Sequence, residues 1–146
     1  MTLSVGVANN APAYPTTPTK GNTMGRLISW FEIPVTDMGR AVRFYEAVLG
    51  IKFTLQEMAD MKMAIFPYPE ESTGGALCQH PQYQPAPSGG VVVYLDGGDD
   101  LDKPLGRVWE AGGQVVMPKT LITPEIGYMG FFKDSEGNVV ALHSCK

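Results

Sequence analysis

Five side chains in this sequence are of the types that acid–base, nucleophilic or ligand-anchoring chemistry requires: Glu32, Cys78, His80, Tyr94 and His143. A carboxylate in a dry setting can act as a general base or anchor a cationic group. An imidazole exchanges protons near neutrality. A phenol donates a hydrogen bond, and a thiol attacks only where something lowers its pKa. Nothing in the sequence supplies Cys78 with a helix N-terminus or a cation, so it is expected to be inert. His80 precedes Pro81 in a proline-rich stretch and reads as solvated. The others have plain readings beside the functional ones. Glu32 could pair with Lys52 or an arginine, Tyr94 could satisfy its hydroxyl on backbone, and His143 could lie exposed or between subunits.

The element that positions Glu32 is the stretch from Trp30 to Gly50. Its start alternates, so Phe31, Ile33 and Val35 share one strand face while Trp30, Glu32 and Pro34 share the other. Asp37 stands where an N-cap belongs. Ala41, Phe44, Tyr45, Val48 and Leu49 then recur at helical spacing, and Gly50 ends the helix as a residue free to take positive φ. A strand, a tight corner and a helix folded back on the strand's apolar face are predicted.

Composition narrows the function classes. The chain has 146 residues, 44 % hydrophobic and 10 % aromatic, the size and make-up of one packed domain or two small halves sharing a core. A net charge of −4 gives no basic stripe for nucleic acid. No apolar run approaches the roughly 18–20 residues of a membrane span. Two cysteines do not make a disulfide framework, and no secretory signal is evident, so a cytoplasmic protein with free thiols is expected. P-loop, dinucleotide, HExxH and GxSxG motifs are absent.

In chain order, residues 1–25 read as a flexible tail, with Met24 a possible translation start. Strands are expected at Lys52–Met58, Met61–Phe66 (after an Ala59-Asp60 turn) and Gly75–Gln79, then a linker at 81–89. The pattern restarts with a strand at Val91–Leu95, a corner at Gly97–Asp100 and a helix at Leu101–Ala111, with Leu105 and Val108 inward and Pro104 favouring a start near Asp102. Strands follow at Gln114–Met117, Tyr128–Lys133 and Asn138–His143. Gly74-Gly75, Gly89-Gly90 and Gly97-Gly98 read as turns, and Asp99-Asp100 as a helix cap. The halves, 26–80 and 90–146, repeat. Met63-Ala64-Ile65-Phe66 matches Met129-Gly130-Phe131-Phe132 at an offset of 66, and Gly75–Leu77 answers Val140–Leu142 at 65.

This repeat, opening with FEIPVTDMGRAVRFYEAVLGIKF and closing with FFKDSEGNVVALHS, resembles the vicinal oxygen chelate superfamily of glyoxalase I, bleomycin-resistance proteins and extradiol dioxygenases. The resemblance implies an α+β fold, two βαβββ modules whose mixed sheets curl into a cup, often as a homodimer. Metalloenzymes of that superfamily hold a divalent ion on inward side chains of the first and last strands of each module. Carried over by position, those places fall on Trp30, Ala76, Gly90 (with Leu95 set against Val35) and Ala141. None offers a lone pair suited to a divalent ion, so no metal and no cofactor are expected.

By strand parity the residues sharing that cup are Trp30 and Glu32, Cys78 and His80, Val92 and Tyr94, and Ala141 and His143. An aromatic wall with a few polar groups suits a small ligand, with Trp30 a platform for a flat one. The expected function is therefore metal-independent binding of a small, planar or cationic molecule, with Trp30, Cys78, Val92, Tyr94 and Ala141 as contacts. One alternative is a lyase, isomerase or dioxygenase-type enzyme, using Glu32 and His143 for acid–base work or a metal displaced along the strands. Another is a scaffold whose cup is filled by side chains.

Overall fold

The computed structural model describes residues 27–88 and 90–146, so the tail expected over 1–25 lies outside the described residues. Strand β1 (Trp30–Pro34) leads into helix α1 (Met38–Leu49), then β2 (Thr54–Met58), β3 (Met61–Ile65) and β4 (Gly74–Gln79). The second half repeats the order with β5 (Tyr94–Asp96), α2 (Asp102–Arg107), β6 (Gln114–Thr123), β7 (Gly127–Lys133) and β8 (Val139–Ser144). Each half forms one four-stranded mixed sheet, β1-β4-β3-β2 and β5-β8-β7-β6. In both, the first strand pairs parallel to the last and the remaining pairs are antiparallel. Both sheets are open, ending in edge strands rather than curling shut.

α1 forms where the pattern puts it. The Asp37 carboxylate accepts from the Arg40 N–H at 3.0 Å, and Gly50 takes φ 68° while its N–H reaches the Glu46 carbonyl. Ala41, Phe44, Tyr45 and Val48 form its buried stripe. α2 starts at Asp102 as Pro104 requires, but it runs only to Arg107 and gives way to turns before Gly112, shorter than the expected reach to Ala111. β6 is much longer than expected, bulged along its pairing with β7. β5 starts three residues later than expected, leaving Val91 and Val92 exposed.

One core joins the halves. Ile33, Leu77 and Phe66 from the first sheet and Leu95, Phe132 and Leu142 from the second enclose α1 and the buried side of α2. Phe44 and Tyr45 both stack on Phe132, with ring centroids 5.8 and 6.2 Å apart. A polar clasp adds to this. The Asp134 carboxylate, buried in the β7–β8 turn, accepts from the Tyr45 hydroxyl at 2.7 Å and from Asn138 and the Glu136 N–H. Glu136 accepts from the Thr36 and Asp37 N–H groups and from the Arg40 guanidinium. Since α1 lies between the sheets, each sheet turns its other face away from the shared core.

Gly74 and Gly75 are the first two residues of β4, both buried, not turn residues. Their missing side chains make room for rings. A Cβ on Gly75 would overlap the Phe31 ring, and one on Gly74 would come within 2.7 Å of Tyr68 and 2.8 Å of Trp30. Gly98, in contrast, takes φ 83° at the corner, as a turn glycine does.

Candidate functional site

The alternation of β1 sends Ile33 to the core with α1 and turns Trp30 and Glu32 to the opposite face, as the sequence pattern predicts. There Met63, Ala76 and Cys78 form a second, small apolar cluster, with Trp30, Met61, Ile65 and Tyr83 packed on it. Trp30 lies over Gly74, edge-on to Tyr68 with centroids 6.0 Å apart. Glu32 does not pair with Lys52, which instead bonds Glu46 at 2.9 Å. Its partner is Tyr83, whose hydroxyl donates to the carboxylate at 2.6 Å.

This contact shapes the electrostatics of the face. The hydrogen bond to Glu32 and its negative charge raise the Tyr83 pKa, so the phenol stays protonated as the donor. Burial, with the Glu32 charge adding to it, pushes the Cys78 thiol up to about 12. A thiol so far from ionising reacts only slowly near neutral pH. His80 is not solvated. It lies 3.2 Å from Asp60, accepts from the Gln82 N–H on Nδ1, and packs edge-on to Tyr83 at 5.5 Å. The linker is drawn down onto the sheet because Tyr83 and His80 both find partners there.

On the second sheet Tyr94 sits on Phe131 with centroids 5.7 Å apart, and half of its surface is open. Ala141 is fully buried, Val92 is exposed, and the His143 Nε2 lies 2.7 Å from the Ile126 carbonyl. Tyr94 and His143 line an open hollow of about 1070 Å³ with Asp96, Glu125 and Ile126. The structure thus brings together Trp30, Glu32 and Cys78 on one face, and Tyr94, Ala141 and His143 on another. It does not bring the two sets together within one chain, because the helices stand between the sheets that carry them.

Hydrogen bonding fixes how the modules correspond. The Val35 N–H reaches the Cys78 carbonyl at 2.9 Å, and the Gly97 N–H reaches the His143 carbonyl at 2.8 Å. Val35 therefore answers Gly97, not Leu95. Five residues earlier, the counterpart of Trp30 is Val92, not Gly90. The sequence alignment slipped by two because it matched apolar to apolar. In the second module the strand closes on a glycine, and Leu101 fills the space that a side chain there would take. The four positions become Trp30, Ala76, Val92 and Ala141, an indole and three hydrocarbon side chains, which do not fit a divalent cation. Among the described residues, no cluster of three or more His, Cys, Asp or Glu is placed to hold one elsewhere.

The profile of the Glyoxalase/Bleomycin resistance protein/Dioxygenase superfamily matches residues 27–142. The chain belongs to this superfamily. A glyoxylase-like domain-containing protein from Didymella fabae is 29 % identical over 79 % of this chain and 91 % of its own. A hypothetical protein from S. aureus superposes with a TM-score of 0.63 at 25 % identity, over 82 % of this chain and 95 % of that one. TnmS3, an antibiotic binding protein from Streptomyces sp. CB03234, does so with a TM-score of 0.56 at 26 % identity, over 81 % and 94 %. The superfamily thus includes ligand binders similar to this chain over most of its length.

Sequence reasoning passed over Tyr83 and Tyr68, both in loop segments. The available signal was an aromatic residue inside a proline-rich linker, which has to cover something or stand bare in water. The bed of Trp30 is testable through Gly74. Gly74→Ala forces the two rings apart and is expected to cost about 1–3 kcal/mol, as overpacking does, and to shift Trp30 fluorescence. Stability and emission both unchanged would mean that Trp30 does not rest there.

Proposed function

We propose that this chain is a binding protein of the superfamily that takes a small planar or cationic ligand on the Trp30–Glu32 face without a divalent metal. What supports the reading is the chemistry at the four positions where the superfamily resemblance would put metal ligands, Trp30, Ala76, Val92 and Ala141, next to a carboxylate among aromatic rings. Trp30 supplies a flat apolar platform with an electron-rich face. Glu32 supplies the charge that orients a cation on it. Similarity to TnmS3, named for binding an antibiotic, supports a binding role.

Each exposed face is half of a two-sided site, and this favours assembly as a homodimer in which the first-module face of one copy meets the second-module face of the other. Tyr94 and His143 would then close over a ligand resting on Trp30. Two free cysteines, one buried and one exposed, accord with a cytoplasmic setting. Among the described residues, no helix is long and apolar enough to cross a membrane. The acid–base alternative would need Glu32 and His143 to come from different copies.

Calorimetric titration with 1-naphthylmethylammonium tests the reading. Saturable binding that survives EDTA is expected, weakened roughly tenfold in Trp30→Ala, the loss of about 1.4 kcal/mol. Binding that vanishes with EDTA, or a set of planar cations of which none binds, would overturn it. Sedimentation should give twice the chain mass.

A further inference from the structure

The Trp30–Glu32 face is partly covered by a residue that no strand supplies. Tyr83 comes from the segment between the modules, packs on Met63, Ala76 and Cys78, and places its hydroxyl 2.6 Å from Glu32. The segment is held at both sides of Tyr83. Its N–H reaches the His80 carbonyl at 3.0 Å, and the Ala86 N–H reaches the Asn138 side chain at 3.1 Å. Beside Tyr83 lies a hollow of about 320 Å³, bordered by Lys62, Gln79 and Gln84. A turn of the ring toward that hollow would uncover Glu32 without moving the backbone.

We propose that Tyr83 is a gate over this site that sets an affinity threshold, one that ligands carrying a cationic N–H donor to Glu32 pass. This deepens the binding role proposed above and rests on it for the ligand, though not for the gate. The physical reason is a comparison of donors. To reach Glu32, a ligand must displace the phenol from a short hydrogen bond to a charged acceptor. A neutral aromatic molecule that does so offers at best another neutral donor and gains nothing over the phenol, and one with no donor leaves the part-buried carboxylate without a partner. An ammonium or amidinium replaces a neutral donor with a charged one and makes a stronger bond. Tyr83 thus sets a threshold that such a cation passes, and Glu32 sets the sign of the charge.

The test uses the full chain carrying Cys145→Ser, in which Cys78 is the one remaining thiol, with and without Tyr83→Phe and Glu32→Gln. Labelling of Cys78 by a small thiol reagent reads the gate without any ligand. Tyr83→Phe is expected to label about tenfold faster, because the hydroxyl no longer holds the ring over the thiol. Calorimetry with 1-naphthylmethylammonium and neutral 1-naphthylmethanol reads selectivity. The unsubstituted gate should bind the cation more tightly than the alcohol. Tyr83→Phe should bind both about tenfold more tightly, as the competent state becomes more populated, and Glu32→Gln should lose the preference for the cation. An unchanged labelling rate in Tyr83→Phe would overturn the gate, as would faster labelling with weaker cation binding, since Tyr83 would then be a ligand contact. If neither compound binds any variant, the binding role fails, while the labelling rates still decide whether Tyr83 covers the face.

Discussion

Asp134→Ala is expected to lower the unfolding free energy by about 3–4 kcal/mol. The carboxylate is 4 % exposed and accepts from the Tyr45 hydroxyl, the Asn138 backbone and side-chain N–H groups, and the Glu136 N–H. Burial raises the Asp134 pKa, and the hydrogen bonds oppose that rise. Alanine removes a costly charge but leaves several donors facing hydrocarbon, which costs more. Tyr45 is completely buried, so its phenol cannot turn to water. The double variant Asp134→Ala, Tyr45→Phe should therefore be more stable than the sum of the two single losses predicts. Asp134→Asn, which keeps an acceptor oxygen, should be far milder. Urea unfolding of the wild type and these four variants settles the point, and a loss below about 1 kcal/mol in Asp134→Ala would contradict the role given to the clasp. Because α1 belongs to one module and Asp134 to the other, both halves should unfold in one transition.

Acid should weaken the same region through Glu136. Desolvation pushes its pKa up, but hydrogen bonds from Arg40, the Asp37 N–H, Ser135 and Thr36 outweigh this and bring it down to about 2, from an ordinary 4.5. A carboxylate depressed in the folded state contributes stability above its unfolded pKa and loses it as pH falls through the folded one. The window here is pH 4.5 down to about 2. The Glu136 side chain is fully covered, whereas Arg40 is about half exposed, so solvent screens part of the pair. We expect Glu136→Gln to cost about 2 kcal/mol at pH 7 and only a small part of that near pH 2. Asp134 works in the opposite sense, since its raised pKa means protonation relieves a cost as pH falls. Comparing thermal midpoints of the wild type and Glu136→Gln from pH 7 to 2 isolates the Glu136 part. A gap that stays constant with pH would show that the loss is steric.

What lies along one strand or helix was legible from residue order alone. The N-cap at Asp37, the left-handed Gly50, the stripe on α1 and the inward face of β1 follow from periods of two and 3.6 residues, which need no knowledge of distant partners. The repeat was visible for the same reason. Short or bulged elements were harder to place. β5 has three residues and β6 carries two register breaks before Leu121, so neither leaves a long period to read. The offset that put Gly90 in place of Val92 arose at the corner where Gly97 and Leu101 together occupy the volume that Val35 fills alone. A swap of side-chain volume between distant residues leaves no trace in local pattern.

The sequence by itself determined the fold family and the face on which Trp30 and Glu32 stand. Each depends only on residue type and strand parity. Tertiary structure alone decided that Glu32 bonds Tyr83 rather than Lys52, that His80 leaves solvent for Asp60, and that the two candidate faces look away from each other. Those outcomes turn on which surfaces the helices fill. Burying Phe44, Tyr45 and Phe132 together puts α1 between the sheets, and the large apolar area removed from water outweighs the few polar contacts that might have drawn the faces into one hollow.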